Sequence, residues 1–160
     1  MLYFAYGSLM DYDFVVERFP NTEPWGRAAL PGHRLQFSIP SIDFFGGNCA
    51  DIVPDAQATV WGVIYETTEA DLALIDDFEC VKEGEYQRVK VDIRLDGQMI
   101  VLATAYHACQ GGGQQMAPTC EYLGLMLRGA RAHSLPTEYI NSLIDLASRL
   151  PKQQNHALPE

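Results

Sequence analysis

The feature that most constrains the fold is a stretch of alternating side chains in the second half of the chain. Residues 88–95, RVKVDIRL, place an aliphatic residue at every second position and a charged residue between. This period of two is typical of a half-buried antiparallel strand. Asp96-Gly97 follows directly and is a strong hairpin signal, and residues 98–108, QMIVLATAYHA, are apolar enough to form the returning strand. The sequence therefore predicts an antiparallel β-hairpin.

Other apolar stretches predict strands in the first part of the chain and helices in the last. Strands are expected at residues 2–6, 25–30, 33–39 and 58–66, with Pro31-Gly32 as a turn between the second and third of them and residues 40–57 as a long loop. Helices are expected at residues 11–19, after Thr67-Thr68, at 118–133 with Thr119 as a cap, and at 137–150. This order predicts an α+β fold in which a small, mixed, barrel-like sheet is flanked by helices.

Length and charge limit the domain organisation and the class of partner. The chain has 160 residues, which favours one domain over residues 1–150 followed by a C-terminal tail at 151–160. Its formal net charge of −10 would repel the phosphates of nucleic acids and anionic lipids, so neither a nucleic acid nor a membrane is an expected partner. A small molecule is the expected ligand.

The cysteines and histidines argue against a disulfide framework and a metal site. Cys49, Cys80, Cys109 and Cys120 are widely spaced and form no C-x-x-C pair, which favours free thiols in a reducing compartment. The four histidines are scattered without ligand spacing, so no metal is expected. The N-terminus lacks the pattern of a signal peptide, and no apolar run is long enough to cross a bilayer. These features predict a cytoplasmic location.

Three acidic residues gather where the second predicted helix should end. Asp76, Asp77 and Glu79 fall near the negative end of the helix dipole, where carboxylates cost stability. They can form a solvated helix end. Alternatively, burial against Phe78 and Tyr86 would raise the pKa of one carboxyl into the range where it can accept and give a proton near neutral pH. In that interpretation Glu79 is a candidate general base.

The first predicted strand stops on Gly7-Ser8, just before a predicted helix. Glycine allows a sharp turn, and the backbone N–H groups of such a turn can face outward together and attract an anion or a developing oxyanion. A plain strand-ending turn is the alternative interpretation. Tyr122 lies early in a later predicted helix and, taken alone, is predicted to be a core residue.

Four segments, in this order along the chain, resemble those of the γ-glutamylcyclotransferase (AIG2-like) family. They are YFAYGS at 3–8, VWGVIYE at 60–66, DDFECVKEGEYQRVKV at 76–91 and APTCEYLGLMLRGARAHSLPTEYINSL at 117–143. No single segment is specific when taken alone, but the four in register span most of the chain. The resemblance implies a small mixed-sheet barrel with flanking helices, in agreement with the order of elements above.

The resemblance also implies an activity and a set of site residues. In that family an N-terminal loop holds the γ-glutamyl group through backbone N–H groups, and a glutamate is the acid/base. Carried over residue by residue, catalysis falls on Glu79, and substrate binding falls on Tyr3, Phe4, Ala5, Tyr6, Gly7, Ser8 and Tyr122. The implied reaction converts a γ-glutamyl amino acid or γ-glutamyl amine to 5-oxoproline and releases the amino acid or amine, with no cofactor. The implied assembly is a monomer or homodimer.

One departure from the family pattern leaves the substrate range open. Many members have Asn after the Y-G-S sequence, whereas Leu9 stands here. Glutathione-specific cyclotransferases also carry Y-G-S-L, so cyclisation of glutathione is an alternative. A non-catalytic γ-glutamyl-binding module is a second alternative. Glu79 favours the enzyme, because a protein that only binds a γ-glutamyl zwitterion has little reason to desolvate an extra carboxyl.

Overall fold

The computed structural model describes residues 1–41, 45–111 and 113–153. Its strands are β1 (Leu2–Ala5), β2 (Glu23–Pro40), β3 (Asn48–Glu66), β4 (Tyr86–Arg94) and β5 (Ile100–Ala108). Its α-helices are α1 (Tyr12–Val16), α2 (Glu69–Phe78), α3 (Cys120–Ala132) and α4 (Thr137–Arg149). Short 3₁₀ turns are present at Ser8–Met10 and Asp96–Gln98.

The five strands form a closed barrel in the order β1-β3-β2-β4-β5. Neighbouring strands are antiparallel, except that β1 meets β5 in parallel, with Tyr3 opposite Thr104. The sheet is therefore mixed, and single residue pairs close it, Tyr3 with Thr104 between β1 and β5 and Ala29 with Arg94 between β2 and β4. Helices flank this barrel, which confirms the predicted α+β class and the barrel architecture.

The predicted hairpin is present as β4 and β5, which pair in antiparallel register with Tyr86 opposite Ala108. Residues 95–99 connect the two strands through a 3₁₀ turn. Within β4, Ile93 is buried and its neighbour Arg94 is exposed, as the alternating pattern predicts. The strongest local signal in the sequence thus gives one of the longest regular pairings of the barrel.

Two predictions for the first half of the chain were wrong, because long bent strands replace a turn and a loop. The strand β2 continues through Pro31 and Gly32, and Gly32 adopts φ +73° at a register shift between Pro31 and His33. A glycine at positive φ can form a bulge within a strand as well as a turn between strands. Residues 48–57, expected in the loop, belong to β3 and pair with β2, whereas residues 42–44 lie outside the described residues.

The helices begin where the sequence predicts. The Thr68 hydroxyl accepts a hydrogen bond from the backbone N–H of Asp71 at the start of α2, and Thr119 caps α3 by accepting from the N–H of Tyr122, both at 3.2 Å. These are the N-cap contacts that threonine makes in the first turn of a helix. In the first part of the chain, α1 is shorter than expected and is capped by Asp11.

The loop after β1 is held in place from two sides. Helix α3 packs on the 3₁₀ turn so closely that a Cβ added to Gly129 would lie 2.2 Å from the Met10 carbonyl group. On the same side, Arg128 Nε donates to Asp11 Oδ2 at 2.9 Å. From the barrel, the Tyr65 hydroxyl donates to the Leu9 carbonyl at 2.8 Å. The conformation of this loop is therefore set by tertiary contacts.

The beginning of the predicted tail contacts the rest of the chain. The Pro151 carbonyl accepts a hydrogen bond from the N–H of Ala117 at 2.8 Å, and Gln153 Oε1 accepts one from the N–H of Gly47 at 3.1 Å. Residues 154–160, the remainder of that tail, lie outside the described residues. Among the helices described, none has both the length and the apolar character needed to cross a bilayer.

Candidate active site

A cavity of about 520 Å³ opens beside one end of the barrel. Its wall comes from β1 and the loop after it, the end of β2, the beginning of β3, the end of α2, the beginning of β4, β5 and the beginning of α3. Most of the sequence-predicted site residues line it, namely Tyr3, Phe4, Tyr6, Gly7, Ser8, Glu79 and Tyr122. Ala5 does not: it is buried within β1, opposite Val63 of β3. The fold thus brings residues near the N-terminus to the end of α2.

The three acidic residues at the end of α2 have different environments. Asp76 forms a two-point ion pair with Arg88, with both N···O distances at 2.7 Å, and it also accepts from the Tyr106 hydroxyl at 2.6 Å. Burial alone would raise the pKa of Asp76, but these hydrogen bonds outweigh burial and lower it. Asp77 pairs with Lys82 at 3.0 Å on the surface. Two of the three carboxylates are therefore neutralised by cations of this chain.

Glu79 has no such cation. Within the described parts of the chain, no residue forms a hydrogen bond or ion pair with its carboxylate. Burial raises the pKa of Glu79 from its ordinary value of 4.5 to about 8, and the negative charge of Glu85 adds to the effect. A carboxyl with a pKa near ambient pH is suited to both accepting and giving a proton. The shift has the direction expected from burial.

The position of Glu79 follows from how α2 ends. Glu79 is the C-cap, and the next residue, Cys80, adopts φ +52°. The N–H of Cys80 donates to the Asp77 carbonyl at 3.3 Å, and the N–H of Val81 donates to the Asp76 carbonyl at 3.0 Å. This is a Schellman motif, which usually has glycine in the left-handed position. The turn ends the helix immediately before Cys80 and leaves Glu79 in the cavity wall.

Tyrosine hydroxyls supply the polar groups deeper in the cavity. Tyr86 donates to the Ala50 carbonyl at 2.7 Å, Tyr122 accepts from the Ala50 N–H at 3.0 Å, and Tyr6 donates to the Tyr106 carbonyl. Burial raises the pKa of Tyr6, Tyr86 and Tyr122 well above the ordinary value. These phenols are therefore neutral near pH 7 and act as fixed donors and acceptors.

Tyr122 also sets the size of residue 7. A Cβ built on Gly7 would lie 2.6 Å from the Tyr122 hydroxyl oxygen, so only glycine fits there without displacing the tyrosine. The first hydrogen bond of the following 3₁₀ turn runs from the N–H of Met10 to the Gly7 carbonyl. The N–H groups of Gly7 and Leu9 therefore have no acceptor within that turn, whereas the N–H of Ser8 is directed at the Tyr122 hydroxyl.

The charged side chains described in the cavity wall are all acidic. Asp77, Glu79 and Glu85 line it, and the described lining residues include no Lys, Arg or His. A bound anionic group would thus depend on backbone N–H groups and tyrosine hydroxyls, whereas a bound ammonium group would meet carboxylates. A zwitterion with both groups can satisfy both parts of the wall.

Sequence reasoning also missed lining residues that carry reactive or charged groups, among them Glu85 and Cys49. Glu85 lies in the segment 76–91 but directly before β4, and only the assembled barrel shows that this position faces the cavity. Cys49 falls in the stretch expected to be a loop, and it is in fact at the beginning of β3. Burial raises the pKa of the Cys49 thiol to about 12, so it is protonated and not a nucleophile near pH 7.

Comparisons with known proteins point in one direction. The AIG2-like family profile matches residues 59–143. Gamma-glutamylcyclotransferase of Bos taurus is 27% identical over 145 residues, which cover 89% of this chain and 76% of that protein. Gamma-glutamyl cyclotransferase gliK of Claviceps purpurea is 31% identical over 138 residues, which cover 78% of this chain and 60% of that protein. A solved gamma-glutamyl cyclotransferase structure covers 100% of this chain and 93% of its own, with a TM-score of 0.86 and 23% identity, and shows the shared fold.

Proposed function

The chain belongs to the AIG2-like family, and on that premise we propose that it is a γ-glutamylcyclotransferase that forms 5-oxoproline. The observation that carries the proposal is the placement of Glu79, a carboxyl with a raised pKa and no cation partner among the described residues, in the same cavity as the loop Tyr6–Ser8. The similar proteins named gamma-glutamylcyclotransferase support the same activity.

We propose that the loop after β1 binds the γ-glutamyl group. The α-carboxylate and γ-carbonyl oxygen of the substrate are acceptors, and the N–H groups of Gly7 and Leu9 are donors that lack an acceptor within their own turn. The α-ammonium of the substrate is attracted to the carboxylates of the cavity wall, which include Glu79. Holding both ends folds the substrate so that its α-nitrogen approaches its own γ-carbon. Alignment of a tethered nucleophile can supply about 7–11 kcal/mol of the barrier.

Glu79 is proposed to move the protons. Its carboxylate takes a proton from the α-ammonium, and the free amine then attacks the γ-carbonyl to form the new C–N bond of the lactam. Backbone N–H donors stabilise the tetrahedral oxyanion. Glu79 returns the proton to the leaving nitrogen as the original C–N bond breaks. The attacking nitrogen loses a second proton as it becomes the lactam N–H, and this proton passes to the released amine, which leaves as an ammonium, so the reaction consumes no water and no oxidant.

We further propose that the protein works in the cytoplasm. Cys49, Cys109 and Cys120 are free thiols, which is common in a reducing compartment. The expected partner is a small γ-glutamyl compound, because a cavity of about 520 Å³ lined by buried tyrosines and three carboxylates fits a ligand of that size.

The direct test is incubation of the purified protein with a panel of γ-glutamyl compounds, including glutathione, γ-glutamyl amino acids and γ-glutamyl amines. Mass spectrometry should detect 5-oxoproline together with an equal amount of the released amine or amino acid. A panel in which compounds bind but none is converted would contradict the proposed activity and identify a binding module instead.

A further inference from the structure

We propose that Glu85 makes this cavity select γ-glutamyl substrates whose leaving amine carries no carboxylate, and that a leaving amine with a second, cationic group is preferred. The inference rests on the proposed function, because it concerns the part of the substrate that the reaction releases. It identifies Glu85 as a specificity-determining residue and γ-glutamyl amines as the substrate class.

The cavity has room for more than the γ-glutamyl group. Its volume of about 520 Å³ lies within the range of pockets that enclose whole small ligands. The loop after β1 and the buried tyrosines occupy one part of its wall. Among the lining residues that have no role assigned in binding the γ-glutamyl group, we define Ile39, Pro40, Phe78 and Glu85 as a second part of the wall. This second part is available for the leaving amine.

The second part of the wall is apolar with a carboxylate on it. A leaving group with a hydrocarbon chain can pack on Ile39 and Phe78, which are both partly buried in the core. A carboxylate in the same place would lose water without meeting a cationic side chain, since the described lining residues have none. Such an uncompensated anion is costly to bury. The wall therefore disfavours an anionic leaving group before any specific contact is considered.

Of the three carboxylates in the wall, Glu85 is the one left to act on the leaving group. Asp77 already has a cationic partner, Lys82, at 3.0 Å, and Glu79 is assigned to proton transfer. Glu85 is exposed, and it has no ion-pair partner among residues 1–41, 45–111 and 113–153. Its negative charge is therefore available to a ligand.

Two hydrogen bonds hold the backbone of Glu85, which keeps the base of its side chain at the cavity wall. Its N–H donates to the Cys80 carbonyl at 3.1 Å, and its carbonyl accepts from the N–H of Cys109 at 2.9 Å. The charge acts across the cavity, because it raises the pKa of Glu79 and also that of Cys49. A substrate group placed between these residues would experience the same field, which attracts an ammonium and repels a carboxylate.

The test uses three substrates that differ only at the far end of the leaving amine. The γ-glutamyl derivatives of butylamine, diaminobutane and aminobutyrate share a linear four-carbon chain and end in a methyl, an ammonium or a carboxylate group. We expect kcat/KM to be highest for the ammonium compound, lower for the methyl compound and lowest for the carboxylate compound. The measured quantity is the kcat/KM of the ammonium compound divided by that of the carboxylate compound. Both values come from one enzyme preparation, so the fraction of active protein cancels.

Glu85→Gln should reduce this ratio of kcat/KM values by about tenfold, and Glu85→Lys should invert the preference, because one exposed charge acts on two oppositely charged ligands. Glu83→Gln is the matched control: it removes the same charge from an exposed neighbour that does not line the cavity, and it should leave the ratio unchanged. Raising the salt concentration should reduce the wild-type ratio as well.

A second readout is the pH profile of kcat/KM. Glu85→Gln should move the midpoint of the rising limb to lower pH, because the charge that helps to raise the pKa of Glu79 is gone. The same substrate is used for both enzymes, so titration of its own α-ammonium cancels in the comparison.

The outcomes separate this inference from the proposed function. Conversion of the probes with an equal ratio in wild type and Glu85→Gln would overturn the role of Glu85 and leave the activity established. A preference for the carboxylate compound would overturn the proposed substrate class in the same way. If none of the three probes and no other γ-glutamyl compound yields 5-oxoproline, the proposed function fails and the inference fails with it.

Discussion

The hydroxyl of Tyr122 occupies the space that the Cβ of any larger residue at position 7 would need. A Cβ placed on Gly7 would come to 2.6 Å from the hydroxyl oxygen, although the two residues are on the first loop and the third helix of the fold. The same oxygen accepts the Ala50 N–H at 3.0 Å. The loop after β1, the beginning of β3 and α3 therefore meet at one atom in the wall of the cavity.

This contact predicts a coupled pair of substitutions. Gly7→Ala should lower the free energy of unfolding by about 1–3 kcal/mol, because the added methyl group is overpacked, and it should raise KM. Tyr122→Phe should also raise KM, with a smaller loss of stability of about 1 kcal/mol from the lost hydrogen bond. In the double variant the clash is absent, so its stability should be close to that of Tyr122→Phe alone. Denaturant unfolding of the wild type, the two single variants and the double variant measures the coupling between the two positions. If the two single losses in the free energy of unfolding simply add in the double variant, the contact is contradicted.

The packing of α3 on the 3₁₀ turn predicts a contrast between two glycines of one helix. Gly129→Ala should destabilise the protein by about 3 kcal/mol or more, since the new methyl group would overlap the backbone of Met10. Gly124→Ala meets only the flexible end of Arg128, at 3.4 Å, and should be neutral or stabilising by up to about 1 kcal/mol because alanine favours the helix. Equal melting temperatures for the two variants would contradict the close contact.

The ion pairs at the end of α2 predict a contrast between two aspartates. Asp76→Asn should cost about 1–3 kcal/mol at neutral pH, because it weakens the two-point pair with Arg88 and the bond from Tyr106. The folded pKa of Asp76 is lowered, so this stabilisation is present above its unfolded pKa and is lost as pH falls through the folded value. Asp77→Asn, at the exposed pair with Lys82, should cost less than about 1 kcal/mol. Thermal melts at neutral and acidic pH distinguish the two.

The elements that the sequence predicted well are those with local signals. Strict alternation and Asp96-Gly97 identify the β4–β5 hairpin, and threonine caps identify the beginnings of α2 and α3. The long strands β2 and β3 could not be predicted in full, because Pro31-Gly32 gives the same local signal in a bulge as in a turn. The final pairing depends on contacts between residues far apart in sequence.

The candidate site was only partly predictable for a related reason. Asp76, Asp77 and Glu79 are alike in sequence, and they differ because Arg88 and Lys82 reach the first two but not the third. No glycine marks the helix end, since Cys80 takes the left-handed position. Glu85 acquires its place in the wall only when β4 joins the barrel. Partners supplied by the tertiary fold thus decide which carboxylate is available for chemistry.

The raised pKa of Glu79 predicts a pH-dependent stability difference. Glutamate ionises near pH 4.5 in the unfolded chain and at about 8 in the folded protein, so burial of this group destabilises the fold progressively as pH rises from 4.5 to 8. Glu79→Gln mimics the neutral acid and should equal the wild type in stability below pH 4.5. Above pH 8 the variant should be more stable than the wild type by about 1–3 kcal/mol, because it lacks the buried negative charge. The gain is smaller than the full pKa shift would give, because water reaches part of the Glu79 carboxyl. A constant difference across this range, measured by denaturant unfolding, would contradict the shifted pKa.

The most direct test of the account is the turnover of Glu79→Gln, measured as 5-oxoproline formed from the best γ-glutamyl substrate. Glutamine keeps the volume and a hydrogen-bonding oxygen but cannot accept a proton, so kcat should fall by about 10²–10⁴-fold or more. Glu83→Gln should retain wild-type turnover. Calorimetry should show that Glu79→Gln still binds 5-oxoproline, because the substitution leaves the backbone donors of the loop intact. Wild-type turnover by a folded Glu79→Gln protein would contradict the role of Glu79 and the mechanism built on it.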